Sequence, residues 1–359
     1  MGGIFYGARA SPSTQLSTLL GQCSATRKVT NQQDLRMKLI VACFLLVASL
    51  AAHAEKEDPS AAAFMRAASE LDTSQFTDFS SLLAGRRGDW RSIIKSRPGA
   101  FHALRSEPRV SYTLHIPKGF FDEPDEYKLL VAVHGSARTA EKYRDAFAAF
   151  ADQQKFVVLA PLFPIGIYGN GFADGYKILK EQETRYDKLL LDMVADLNET
   201  CSCNLGKFYL FGFSGGGQFA QRFLYLHPEK VAAASIGAPG LATKIDERRP
   251  WFFGTANMDK KLGAAINLEE LRKVPIQIIV GDKDIKKFEI PEKFQAVASK
   301  LLGRYGSNRL ENMKTLQENY LQHGLDSKLE IVEGVGHEGT KMAPHVESFF
   351  LDIRLGADS

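Results

Sequence analysis

Apolar and polar positions follow two alternating periods along this chain, and from residue 110 onward the two take turns. Residues 110–116 alternate in the way of a half-buried strand, which Pro117-Lys118-Gly119 ends. Residues 129–133 are an unbroken apolar run, the mark of a strand covered on both faces. Thr139 then opens a helical pattern with Tyr143, Phe147 and Phe150 on one face. Residues 156–160 predict the next buried strand, followed by a Gly-rich loop over 161–176. The clearest helix carries Tyr186, Leu189, Leu190, Met193, Val194 and Leu197 at helical spacing. Strands are expected over Phe208–Phe213, 231–236, 276–280 and 329–332. Helices are expected over 216–226, 292–302 and 310–323, and from Pro344 with Val346, Phe349, Phe350 and Ile353 inward. Such alternation predicts an α/β fold, a mostly parallel central sheet with helices on both faces. In such sheets ligands bind at the carboxyl ends of the strands, so the search for chemistry belongs in the loops that follow them. The stretch 239–273 is long for a simple connection and reads as a short cap insertion.

The amino-terminal part has a different character. Met37-Lys38 leads into an apolar run that closes on Ala52-His53-Ala54, the pattern of a secretory signal peptide over 37–54 with cleavage after Ala54. The run is too short for a comfortable membrane span, so no stable membrane insertion is expected after cleavage. Residues 1–54 are therefore read as an extension plus signal peptide, 55–108 as a helical extension and 109–359 as the catalytic domain. The formal charge of +3 comes from the part that is removed. Residues 1–54 hold five basic and one acidic side chain, which leaves 40 basic against 41 acidic residues in the remainder. A neutral body gives no electrostatic reason to bind nucleic acid. Cleavage would also remove Cys23 and Cys43, leaving Cys201 and Cys203, whose C-x-C spacing leaves pairing open.

The chemistry gathers in four loops. Gly212-Phe213-Ser214-Gly215-Gly216 has the form G-x-S-x-G and stands between a buried strand and an amphipathic helix. A turn that sharp strains the serine and pushes its hydroxyl out above the sheet, which makes Ser214 the candidate nucleophile. The overlapping G-x-G-x-x-A pattern from Gly215 to Ala220 would suit a dinucleotide. That reading needs a carboxylate after the next strand, and 235–239 holds none. A serine needs a base, and the base an orienting acid. Gly281-Asp282-Lys283-Asp284 follows one strand and Gly336-His337 another, in the order serine, acid, histidine. Asp284 is the expected acid, with Asp282 the alternative and Asp259 the next to test, and His337 is the expected base. His134-Gly135-Ser136 ends the strand expected beside the nucleophile strand. Backbone N–H groups of Ser136 (or Gly135) and of Gly215 are the expected oxyanion donors, and His134 is read as structural. No metal or organic cofactor is called for, and the H-E-x-x-H pattern is absent.

Together these residues resemble the α/β-hydrolase family over about residues 110–353. Phe213-Ser214-Gly215-Gly216-Gly217 at the turn is similar to secreted polyhydroxybutyrate depolymerase-like and feruloyl-type esterases. The resemblance implies a serine hydrolase that acts on a small-molecule or polymer ester through an acyl-enzyme. A serine peptidase of the same fold is the runner-up, and a non-catalytic binding protein comes third.

Overall fold

The computed structural model describes residues 89–288 and 305–357. The signal-peptide stretch, most of the helical extension and the helix expected over 292–302 lie outside the described residues.

The apolar runs form the centre of an eight-stranded sheet. Its strands are β1 (Phe101–Ala103), β2 (Ser111–His115), β3 (Lys128–Val133), β4 (Phe156–Leu162), β7 (Phe208–Phe213), β8 (Val231–Gly237), β9 (Ile276–Gly281) and β10 (Ser327–Val332). The strands β5 (Lys180–Glu181) and β6 (Thr184–Arg185) form a separate small hairpin. The order across the main sheet is β1-β2-β4-β3-β7-β8-β9-β10. The first two strands run antiparallel to their neighbours, and every pairing from β4 to β10 is parallel. Parallel strands are covered on both faces, and β7 is accordingly buried along its whole length. Phe156 and Tyr209 meet edge to face at 5.1 Å, and Tyr209 meets Phe350 at 5.2 Å. Each such buried ring contributes roughly 2–3 kcal/mol through the surface it removes from water.

Most helices lie where the periodicity puts them. These include α4 (Tyr186–Cys201), α5 (Gly215–Leu226), α8 (Arg309–Gln322) and α9 (Ala343–Ala357). Two features differ from the pattern. The helix expected from Thr139 to Phe150 is two helices, α2 (Ala140–Ala146) and α3 (Ala148–Gln154), which break at Phe147 with φ −106° and ψ 3°. Phe147 is fully buried against Phe211, so packing fixes a kink that the periodicity does not reveal. Phe101–Ala103, a stretch without apolar alternation, pairs with β2 after the short helix α1 (Trp90–Ser96). Cys201 and Cys203 are joined by a disulfide at the end of α4.

Between β8 and β9 the chain makes only two short helices, α6 (Met258–Leu262) and α7 (Leu268–Leu271). This segment is pinned to α5 by two buried side chains. Gln221 pairs with Thr243 through both its amide groups, at 2.8 and 2.9 Å. The Arg222 guanidinium donates to Thr243 Oγ1, Leu241 O and Lys177 O, and lies over the rings of Trp251 and Phe252. Burial pulls its pKa below the usual guanidinium value. Hydrogen bonds to carbonyls and the two ring faces supply the compensation that a buried cation needs.

Candidate active site

Ser214 sits on the turn between β7 and α5 with φ 57° and ψ −114°. A side chain is strained in that conformation, and a bond from Ser214 N–H to Gly237 O (2.8 Å) holds it there. The turn is also crowded. A Cβ on Gly216 would lie 2.2 Å from Val133 O and 2.7 Å from His134 O, so only glycine lets α5 start this close to β3. The serine hydroxyl is thereby placed at the amino terminus of a helix, where developing negative charge is favoured.

The loops after β9 and β10 are stitched together and carry the other two groups. Asp282 N–H donates to Val332 O and Lys283 N–H to Val335 O, each at 3.0 Å. Asp284 is 2% exposed, and its Oδ2 lies 2.6 Å from His337 Nδ1. His337 Nε2 lies 2.9 Å from Ser214 Oγ. The carboxylate fixes the proton on Nδ1, which leaves Nε2 free to accept the serine proton. The imidazole rests on the Phe213 ring, 4.7 Å between centroids. The second carboxylate oxygen, Oδ1, faces Arg309 Nη1 at 3.5 Å. Asp282 is not the residue turned toward the imidazole, and its own Oδ1 is buried without a partner. Asp259 is exposed on α6.

The loop after β3 reaches the same point. A Cβ on Gly135 would lie 3.6 Å from Ser214 Cβ, and one on Gly215 would lie 3.1 Å from Ser136 Oγ. Gly135 therefore lies against Ser214, and Ser136 lies against Gly215. His134 lies outside the hydrogen-bond chain from Ser214 through His337 to Asp284. It is fully buried, with Nδ1 2.8 Å from Gly135 O and Nε2 accepting from Phe163 N–H at 3.1 Å. An N–H can only donate, so Nε2 is unprotonated and the ring is neutral; burial pushes its pKa down to about 4. It ties the loop after β3 to the chain leaving β4.

One side chain at this point escaped the sequence reading. Tyr176 closes the Gly-rich loop after β4, and its Oη lies 2.2 Å from where a Gly215 Cβ would be. The only hint in the sequence is an aromatic residue at the end of a Gly-rich loop on the carboxyl side of the sheet.

Among the described residues, no group of three His, Cys, Asp or Glu side chains could hold a metal ion, and no helix is long and apolar enough to cross a membrane.

No family model matches the sequence, and no curated protein does. Solved structures are more informative. The chain is similar to LpqC, a poly(3-hydroxybutyrate) depolymerase from Bordetella parapertussis, with 22% identity and a TM-score of 0.59 over 74% of this chain and 94% of that one. It is also similar to poly(aspartic acid) hydrolase-1 from Sphingomonas sp. KT-1, with 18% identity and a TM-score of 0.53 over 67% of this chain and 91% of that one. This chain has the α/β-hydrolase fold. Within the α/β-hydrolase fold, Ser214 occupies the turn after the strand beside β3, and Asp284 and His337 follow the last two strands.

Proposed function

We propose that the protein is an exported serine hydrolase that cleaves carboxylic esters. The observation that carries this reading is the unbroken chain from Ser214 Oγ through His337 to Asp284, at 2.9 and 2.6 Å, on a strained turn. In the proposed reaction His337 Nε2 takes the Ser214 proton as Oγ attacks the substrate carbonyl carbon. The carbonyl electron pair moves onto oxygen, where the N–H groups of Ser136 and Gly215 receive it. Asp284 stabilises the imidazolium that forms. The tetrahedral adduct collapses, the proton on Nε2 passes to the leaving alcohol, and water repeats the sequence on the acyl-enzyme.

The two similar structures differ in what their names say they cleave, one a polyester and the other poly(aspartic acid), whose backbone is an amide. An ester substrate is the first reading and an amide the second. Export rests on the signal-peptide pattern over 37–54, and a disulfide between Cys201 and Cys203 suits an oxidising compartment.

The test is fluorophosphonate labelling of wild type and Ser214→Ala, followed by an ester panel of increasing acyl length run beside aspartyl peptides. The wild type should label and turn over esters, while the variant does neither and stays folded. Labelling at another residue, or hydrolysis by Ser214→Ala above a few per cent of wild type, would sink the assignment. Mass spectrometry of the exported chain should find Glu55 at its amino terminus.

A further inference from the structure

The site contains a hydroxyl that the reaction just described does not use. Tyr176 is 1% exposed, yet its Oη reaches the nucleophile turn. An ideal Cβ on Gly215 would lie 2.2 Å from that oxygen, 3.0 Å from Lys177 Cε and 3.1 Å from Ser136 Oγ. The phenol oxygen is thus in van der Waals contact with the Gly215 backbone, whose N–H is one of the two proposed oxyanion donors. The other donor belongs to Ser136, and the Ser136 hydroxyl is a hydrogen-bond partner of the same phenol.

The proton of this phenol is poorly used in the resting protein. Its protein acceptor is His134 O at 3.5 Å, the outer limit of a hydrogen bond. Ser136 Oγ–H can donate to Tyr176 Oη, which leaves the phenol proton free to turn toward a new acceptor. The ring itself is fixed. It packs against His134 at 5.2 Å and Phe163 at 5.6 Å, and the Arg138 guanidinium lies over it at 4.9 Å. A cation over the ring draws electron density from it and strengthens the hydroxyl as a donor. Burial raises the phenol pKa well above its ordinary value, so the proton stays on oxygen while it is shared. A buried donor held by packing beside the Gly215 backbone needs no reorganisation to meet charge that develops there.

We propose that the Tyr176 hydroxyl is a third oxyanion donor, adding a side-chain proton to the backbone N–H groups of Ser136 and Gly215. No bond to hydrogen is broken in this role. As Ser214 Oγ bonds to the carbonyl carbon, the electron pair displaced to oxygen accepts the phenol hydrogen bond, and it returns to carbon when the leaving group departs. The inference rests on Ser214 being the nucleophile.

The experiment is Tyr176→Phe in the full-length exported protein, assayed with a p-nitrophenyl ester and with a trifluoromethyl ketone, whose adduct on serine carries an oxyanion. The variant keeps the ring and loses only the hydroxyl. The expected result is a fall in kcat of about 10²–10³-fold, the effect of deleting one oxyanion donor, with KM little changed. Trifluoromethyl ketone affinity should fall in parallel and the melting temperature should hold. A kcat within about threefold of wild type, less than 1 kcal/mol of transition-state stabilisation, overturns the proposal. Incorporation of 3-fluorotyrosine at 176 gives a readout that does not depend on the phenylalanine variant folding. The more acidic phenol should raise kcat, and an unchanged kcat overturns the role. Ser214→Ala separates the two readings: if it still hydrolyses the ester, the serine mechanism fails, whatever Tyr176→Phe does.

Discussion

Asp284→Asn is the substitution whose outcome the surroundings of one side chain determine most fully. An asparagine at this position can present either its oxygen or its NH₂ to His337 Nδ1. The oxygen would preserve the working tautomer, and the NH₂ would force Nδ1 to accept, placing the proton on Nε2 where it cannot take one from Ser214. Arg309 decides between them. Its Nη1 faces the Asp284 oxygen that does not touch the imidazole, at 3.5 Å, and it is a pure donor. An amide that turned its oxygen to His337 would set NH₂ against that cation in a site only 2% exposed. The amide therefore points its oxygen at Arg309 and its NH₂ at His337. The wrong tautomer costs on the order of 10⁴ in kcat, or about 5 kcal/mol of transition-state stabilisation. Rates should be normalised by titrating competent sites with fluorophosphonate, and thermal melting should show a folded protein. The same logic makes a second variant informative. Arg309→Met in the Asp284→Asn background frees the amide to flip, and should recover at least about tenfold in kcat, while Arg309→Met alone stays active. A kcat above about one tenth of wild type for Asp284→Asn would refute the orienting role, since it leaves under about 1.4 kcal/mol for the tautomer effect.

Two further outcomes concern stability. Gly216→Ala puts a methyl 2.2 Å from Val133 O, a backbone atom that cannot move aside, so the urea midpoint should fall by the equivalent of about 3 kcal/mol or more. Alanine in an open helix position would instead stabilise by up to about 1 kcal/mol, and a rise in midpoint would contradict the close approach. His134 is held at about 4 in the folded chain against an ordinary 6.5. Above pH 6.5 the ring is neutral both folded and unfolded; as pH falls toward 4 the unfolded chain binds the proton first, and stability is lost. The stability gap between wild type and His134→Gln should therefore shrink by about 3 kcal/mol between pH 6.5 and 4, and a gap independent of pH would contradict the neutral buried ring.

The sheet was readable in the sequence where strands are buried on both faces, because such a place favours a nearly continuous apolar run; Leu129–Val133 and Phe208–Phe213 are examples. The loops that follow them inherit their position from the sheet, so order alone puts forward Ser214, His337 and a carboxylate at 282 or 284 as candidates. Other features depend on contacts between segments distant in sequence. Phe101–Ala103 joins the sheet by backbone pairing to β2, which leaves no periodic trace in three residues. The choice of Asp284 over Asp282 is a matter of which side chain turns inward, and two carboxylates two residues apart carry the same pattern. Tyr176 reaches Gly215 across a long irregular loop whose path is set by His134, Arg138 and Phe163. The pairing of Cys201 with Cys203 turns on local backbone geometry that composition does not encode.

The backbone angles of Ser214 make the folded state a compromise at one position. A serine with φ near 57° and ψ near −114° costs on the order of 1–3 kcal/mol, whereas glycine adopts that region freely. A chain selected for stability alone would carry glycine at 214, and three glycines follow at once in the sequence. The two obvious inactive variants are consequently not equivalent. Ser214→Ala removes the hydroxyl and keeps the strain, so it reports chemistry alone; Ser214→Gly removes both, and would make a sturdier but inert protein. A stability-driven redesign of this chain would be rewarded for erasing the proposed nucleophile.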